Sequence, residues 1–267
     1  MTVSTPGTAL ITGASSGIGA VYADHLARRG YDLILVARDG QRLSELAARL
    51  QAETGRAVEV LRADLTDRAD LAVVEARLAA DAGITLLVNN AGKSMNGTIL
   101  DVAPAEVEQL IALNVTAPTL LAGAAARAFA GREQGGIINI ASVLALAPEM
   151  FDGVYSGSKA FLLNLTQSLA APLAAKGVRI QAVLPGATRT EIWERSGKDI
   201  DALLGAERIM DADDLVAAAL AGYDRGETVT IPPLPDEAQW ETMQAARLAM
   251  GPNLSLREVA PRYRVAA

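Results

Sequence analysis

The sequence holds no cysteine and a single histidine in 267 residues. Without cysteine there is no disulfide, no thiolate nucleophile and no zinc–sulfur site. That composition fits a cytoplasmic protein. The lone histidine, His25, falls early in a predicted helix, where a surface or packing role suits it. A Ser-His-Asp hydrolase would have to use that one residue, and a transition-metal site would have too few ligands. Excess positive charge is missing too. Twenty-four basic against thirty-one acidic residues leave a net charge of −7, which makes a poor nucleic-acid binder because phosphate neutralisation supplies most of that affinity. No uncharged apolar run reaches about eighteen residues, so no membrane span is expected. Residues 1–7 lack a basic region followed by an apolar stretch, so no secretory signal is expected either. What the chain does have is apolar content, 51%, enough for a sizeable core. With no linker and no shift in composition, residues 1–267 are expected to form one domain.

Strand and helix patterns alternate throughout. Predicted strands fall at residues 8–12, 32–37, 57–63, 84–88, 137–141, 178–184 and 228–231. Helical patterns fill most of the gaps, at 41–53, 67–82, 104–132, 152–176, 191–204, 212–225 and 236–250, with a further one running to Arg29. This alternation implies an α/β fold: a Rossmann-type, doubly wound parallel sheet of about seven strands with helices on both faces.

Several motifs sit where the predicted strands end, the edge at which open α/β sheets bind ligands. After the first strand comes Gly13-Ala14-Ser15-Ser16-Gly17-Ile18-Gly19 and then a helix. Gly13 permits a tight turn, while Gly17 and Gly19 let a pyrophosphate approach the backbone and let the helix pack on the strand. The helix N-terminus then offers N–H groups to phosphate. After the second strand, Ala37 cannot hold a ribose 2′-hydroxyl, and Arg38 can grip a 2′-phosphate, which favours NADP over NAD, with NAD still possible. Asp39 either opposes that phosphate or caps the next helix. Asp64-Leu65 ends the third strand, and the carboxylate suits either an adenine amino group or a helix cap. Asn89-Asn90-Ala91-Gly92 ends the fourth, as a backbone to lie along a ribose or as a plain turn. Asn114 stands inside a helical pattern, where asparagine is unfavourable, and marks either a kink that holds a water or a tolerated polar residue.

Tyr155 and Lys159 are four residues apart on a predicted helix, so they share a face. A cation beside a phenol favours the phenolate and brings a poor base toward the working range. Ser142, thirteen residues before Tyr155, offers a hydroxyl to hold a substrate oxygen.

Taken together and in order, Thr12 through Gly19, Asp64-Leu65, Asn89-Asn90-Ala91-Gly92, Asn114, Ser142, Tyr155-x-x-x-Lys159 and Pro185-Gly186 resemble the short-chain dehydrogenase/reductase family, in its compact single-domain branch. The resemblance runs over nearly the whole chain to Pro232. It implies an oxidoreductase that moves a hydride between NADP(H), or NAD(H), and a carbonyl or secondary alcohol. Tyr155 would be the general acid/base and Ser142 the holder of the substrate oxygen. Lys159 would lower the tyrosine pKa and bond the nicotinamide ribose, and Asn114 would hold a relay water. Ser15, Ser16 and Ile18 belong to the family's glycine motif; those serines stand where NADP-using members often carry a basic residue. Asp64 and Leu65 would meet adenine, and Asn90, Ala91 and Gly92 the adenosine ribose. Pro185 and Gly186 would cover the nicotinamide, with Thr188 and Thr190 near its carboxamide. The substrate would be a small, mostly apolar molecule among residues 93–95, 143–145, 149–151 and 192–193. Lys93 and Glu149 there either orient a polar group or sit at the rim. Residues 191–210 would form a substrate loop. The tail from residue 232 would close the pocket or pack on a neighbouring subunit of a homodimer or homotetramer. The alternative is a dinucleotide-binding redox sensor or scaffold without turnover.

Overall fold

A computed structural model describes residues 6–95, 97–191 and 200–264. The described residues divide into two compact units, residues 1–233 and 234–267. The first begins β1 (Thr8–Thr12), α1 (Gly17–Arg28), β2 (Asp32–Ala37), α2 (Gly40–Thr54), β3 (Val58–Arg62), α3 (Arg68–Ala80) and β4 (Ile84–Asn89). It continues with α4 (Pro104–Ile111), a π-helical turn (Ala112–Thr116), α5 (Ala117–Arg132), β5 (Gly135–Ile140), α6 (Gly153–Ala174) and β6 (Val178–Val183). Last come β7 (Thr188–Arg189), α7 (Ile200–Leu204), β8 (Met210–Asp211), α8 (Ala212–Asp224) and β9 (Val229–Thr230).

Seven strands form one parallel sheet in the order β3-β2-β1-β4-β5-β6-β9. The order reverses between β1 and β4, which opens a crevice at the carboxyl ends of those strands. Strands buried on both faces read as continuous apolar runs, and β2, Asp-Leu-Ile-Leu-Val-Ala, is buried at its four central positions. Their side chains alternate between two core layers. On one face Leu33 and Leu35 meet Tyr22, Leu26, Leu43 and Leu50, with Val216 and Leu220 from α8. On the other, Ile34 and Val36 join Leu71, Val74, Leu78, Leu121 and Phe129. The expected doubly wound architecture is what the chain forms.

Caps set where the helices start. Asp39 accepts the Arg42 N–H and Asp67 those of Ala69 and Asp70, so Asp39 takes the capping role. Asp64 does not cap α3; it closes a local turn by accepting the Thr66 N–H and Oγ–H. Residues 104–132 are the one stretch among those described that is long and apolar enough to cross a membrane. Here they form a core helix: Leu121, Ala122, Ala125 and Phe129 are buried under the sheet and a π-turn interrupts the run at Asn114. Two short strands in a predicted loop and helix boundary, β7 and β8, pair parallel to each other outside the main sheet. The predicted helix over 191–204 is described only from Ile200; residues 192–199 lie outside the described part.

Among the described residues of the second unit there is one α-helix, α9 (Glu237–Ala249), capped by Asp236 and burying no side chain. Leu248, Met250, Leu254, Leu256 and Tyr263 are exposed.

A buried amide ladder crosses the centre of the sheet. Asn89 Nδ2 donates to Asn139 Oδ1 at 3.0 Å, and Asn139 Nδ2 donates to Thr166 Oγ1 at 2.9 Å. It ties β4 to β5 and β5 to α6, and so holds the strand end that precedes Asn90 against the helix that carries Tyr155. Removing one member strands buried donors and acceptors, which costs about 1–3 kcal/mol. Asn139→Ala is expected to lower the unfolding free energy by that amount, read as a fall in the urea midpoint at unchanged slope; an unchanged midpoint would show that the ladder does not stabilise the fold.

Candidate active site

The crevice at the β1/β4 crossover is a cavity of about 770 Å³. The glycine turn forms one wall. Gly13 has φ +65°, and a Cβ there would stand 2.8 Å from Ala91 Cα. Gly17, φ +53°, has Thr190 facing it at 3.4 Å from where a Cβ would be. Thr12 holds the turn to the opposite wall. Its Oγ1 accepts the Asn90 and Ala91 N–H groups, both at 3.0 Å, and donates to the Val88 carbonyl. Asn90 Nδ2 donates to the carbonyls of Thr12 and Gly13. The Asn90 side chain therefore braces the turn, and its place in the wall comes from the backbone. Gly19, expected to face a cofactor, does not line the cavity; a Cβ there would run into Asn90 Nδ2 and the Gly13 carbonyl, so its role is close packing of α1.

At the far end, Ile140 and Ala141 deliver Ser142, while α6 delivers Tyr155 and Lys159. Asp152 starts α6 by accepting the Val154 and Tyr155 N–H groups at 3.2 and 2.8 Å, which fixes the backbone under the phenol. Ser142 Oγ accepts the Leu144 N–H at 3.1 Å and lines the same end of the cavity as the Tyr155 phenol. Phe151, expected among the substrate contacts, packs edge-on against the Tyr155 ring at 5.8 Å. Lys159 Nζ, buried, donates to the Ile140 carbonyl at 2.8 Å and stands 5.6 Å from the Tyr155 ring centroid. Burial pushes the Tyr155 phenol up to about 12, with the Ser142 hydroxyl working the other way. Burial pulls the Lys159 ammonium down to about 8. For the phenol, desolvation outweighs the pull of the Ser142 hydroxyl.

Asn114 sits behind this wall rather than in it. Its Oδ1 accepts the Lys93 N–H at 2.9 Å, and its Nδ2 donates to the Lys93 carbonyl at 2.8 Å and to Ser158 Oγ at 3.2 Å. The π-turn places it there, and Gly92 lies between it and Lys159: a Cβ on Gly92 would be 3.3 Å from Asn114 Oδ1 and 3.4 Å from Lys159 Nζ. Of the kink and the tolerated polar residue, the kink is what forms.

Ser15, Ser16, Ile18, Arg38, Asp64, Leu65, Gly92, Pro185, Gly186 and Thr188 complete the predicted lining. Burial works against the Asp64 charge, but hydrogen bonds from Thr66 and the Arg38 guanidinium, 3.8 Å away, hold its carboxyl below the usual carboxylate range. Six lining residues went unpredicted, Arg42, Ala63, Thr66, Leu113, Ile140 and Ala141, and Glu191 was expected only as part of a substrate loop. Arg42 was open to inference, since it follows Arg38 by four residues at a helix start. Lys93 lines the cavity and reaches Gln109, whereas Glu149 and Met150 are exposed, which puts Glu149 at the rim. Ile192 and Trp193 lie outside the described residues. His25 pairs with Asp213 on the surface, away from this site.

Glycine turn, helix N-terminus and backbone wall fit a dinucleotide, and a phenol, a hydroxyl and an ammonium meet at the cavity's end. A fold and site of this kind define a dinucleotide-dependent oxidoreductase. The family description for short chain dehydrogenases matches residues 7–201, and the chain belongs to the short-chain dehydrogenase/reductase family. It is similar to a short-chain dehydrogenase from Sphingobium yanoikuyae solved in complex with NADPH: 50% identity over 96% of this chain and all of that one, TM-score 0.92. A bulky-bulky ketone specific alcohol dehydrogenase from Comamonas testosteroni matches at 45% identity over 96% of this chain and 98% of that one, TM-score 0.88. An uncharacterized oxidoreductase of Staphylococcus saprophyticus is 33% identical over 84% of this chain and 93% of its own.

The lysine yields a stability prediction. Native Lys159 titrates near 8 and an unfolded lysine near 10.5. Between those values the unfolded chain binds more protons, so stability rises with pH; below 8 the full cost of the buried charge is present. That cost is about 3 kcal/mol, against about 2 kcal/mol for the bond from the charged ammonium to Ile140. Lys159→Met is expected to melt higher than the parent at neutral pH, with the gap closing as pH rises from 8 to 10.5. A variant that melts lower at every pH would show that the ammonium stabilises the fold.

Proposed function

We propose that this chain is an NADP(H)-dependent reductase of ketones or aldehydes, reversible toward secondary alcohols, with Tyr155 as its general acid/base. The observation that carries this reading is the meeting of Tyr155, Ser142 and Lys159 at one end of a cleft whose other wall is a glycine turn and helix N-terminus. The bound nicotinamide supplies the hydride.

The protein supplies position and a proton. A phenol pushed up to about 12 is protonated at neutral pH, so Tyr155 is ready to donate to a carbonyl oxygen as charge builds there. Ser142 is placed to hold that oxygen with a hydrogen bond. Lys159 remains cationic near neutrality, and its charge favours the phenolate once the proton has left. Reprotonation from solvent would run along the Asn114 π-turn beside Lys93 and Gly92. Apolar lining at Ile140, Ala141 and Leu113 suits a hydrophobic substrate. The relative specific for bulky-bulky ketones supports a substrate with large groups on both sides of the carbonyl. Arg38, with Ala37 unable to hold a 2′-hydroxyl, and the NADPH-bound relative support NADP(H) over NAD(H).

Tyr155→Phe keeps the ring and its contact with Phe151 while removing the proton. It is expected to bind NADPH as the parent does, by fluorescence titration, and to lose roughly 100-fold or more in turnover of aryl and alkyl ketones. Turnover near the parent's would remove Tyr155 from the mechanism.

A further inference from the structure

The adenosine end of the cleft holds more charge than a single arginine accounts for. Arg38 and Arg42 both line it, together with Asp39, Asp64 and Glu191. Two cations thus face three carboxylates. A phosphate dianion arriving there meets net negative charge unless a carboxylate gives way.

The three carboxylates are held differently. Asp39 is the cap of α2, fixed in place by accepting the Arg42 N–H at 3.1 Å, and its Oδ2 also lies 3.5 Å from Arg42 Nε. Asp64 is bound locally by Thr66, at 2.9 Å to the N–H and 2.7 Å to Oγ. Glu191 instead comes from the segment just after β7, 149 residues further along the chain, and its Oε2 accepts from Arg42 Nη1 at 2.5 Å. Both side chains of that pair are a little under half exposed, 45% and 42%. An ion pair so exposed is worth little and exchanges readily for a better partner. A phosphate, with more charge and a geometry that suits the guanidinium fork, is such a partner.

We propose that Arg42 is a second 2′-phosphate-binding residue and that Glu191 is the anion it holds until the phosphate arrives. NADP(H) displaces Glu191 from Arg42, whereas NAD(H), having no 2′-phosphate, leaves the pair in place. Glu191 therefore sets the affinity for NADP(H) and not that for NAD(H). The proposal rests on the reading of the cleft as a dinucleotide site.

The test measures dissociation constants for NADPH and NADH by nucleotide fluorescence on three full-length proteins: the parent, Glu191→Gln and Arg42→Gln. Glu191→Gln removes the competing charge at nearly constant shape and is expected to tighten NADPH by about threefold to fivefold, the range of an exposed ion pair. Arg42→Gln is expected to weaken NADPH by about tenfold or more, the range of a charge-assisted bond. NADH binding should stay at the parent's value in both. Equal shifts for the two nucleotides would overturn the proposal, since Arg42 and Glu191 would then clasp either dinucleotide. NADPH affinity untouched by Arg42→Gln would overturn it as well, while leaving the functional reading intact. Binding of neither nucleotide by the parent would overturn that reading and the proposal with it.

Discussion

Lys159 Nζ and the Ile140 carbonyl, 2.8 Å apart and buried, form the contact on which the rest of the site depends. The ammonium is carried by α6 and the carbonyl by the end of β5, so one bond docks the helix on the strand. Two residues past Ile140 the chain delivers Ser142, and one helical turn before Lys159 it delivers Tyr155. That docking brings the serine and the tyrosine to one end of the cleft. Burying a cation works against folding, as the pull of its pKa down to about 8 records. A site that holds a charged lysine against this cost has traded stability for chemistry.

The dinucleotide wall is built by a different kind of contact. Thr12 and Asn90 make five hydrogen bonds across the β1/β4 crossover, all to backbone groups. They fix a turn that Gly13 and Gly17 make sterically possible, with positive φ at both. The amide ladder from Asn89 through Asn139 to Thr166 then links this wall to α6. Polar side chains buried in the sheet thus connect the glycine-turn end of the cleft to the end that holds Tyr155, through bonds between segments distant in sequence.

Most of this was legible in the sequence because it is local. Apolar runs marked the strands, glycines and caps marked the turns, and the spacing of Tyr155 and Lys159 placed both on one helical face. What stayed hidden depends on contacts between distant segments. The π-turn at Asn114 forms where its amide bonds the backbone of Lys93, twenty-one residues earlier. The β7–β8 pair consists of two residues a side, too short for any periodic signal. The ion pair of Arg42 and Glu191 joins residues 149 apart. The burial that raises the tyrosine is hidden for a similar reason: the neighbouring cation is visible in the sequence, but desolvation is a property of the folded cleft.

The central claim is that hydride moves between a nicotinamide in this cleft and a carbonyl carbon beside Tyr155. Its most direct measurement is reduction of an apolar ketone with NADPH deuterated at the transferring position of the nicotinamide, followed by mass spectrometry of the alcohol. The account predicts one deuterium, on the carbinol carbon. Alcohol formed without the label would contradict it.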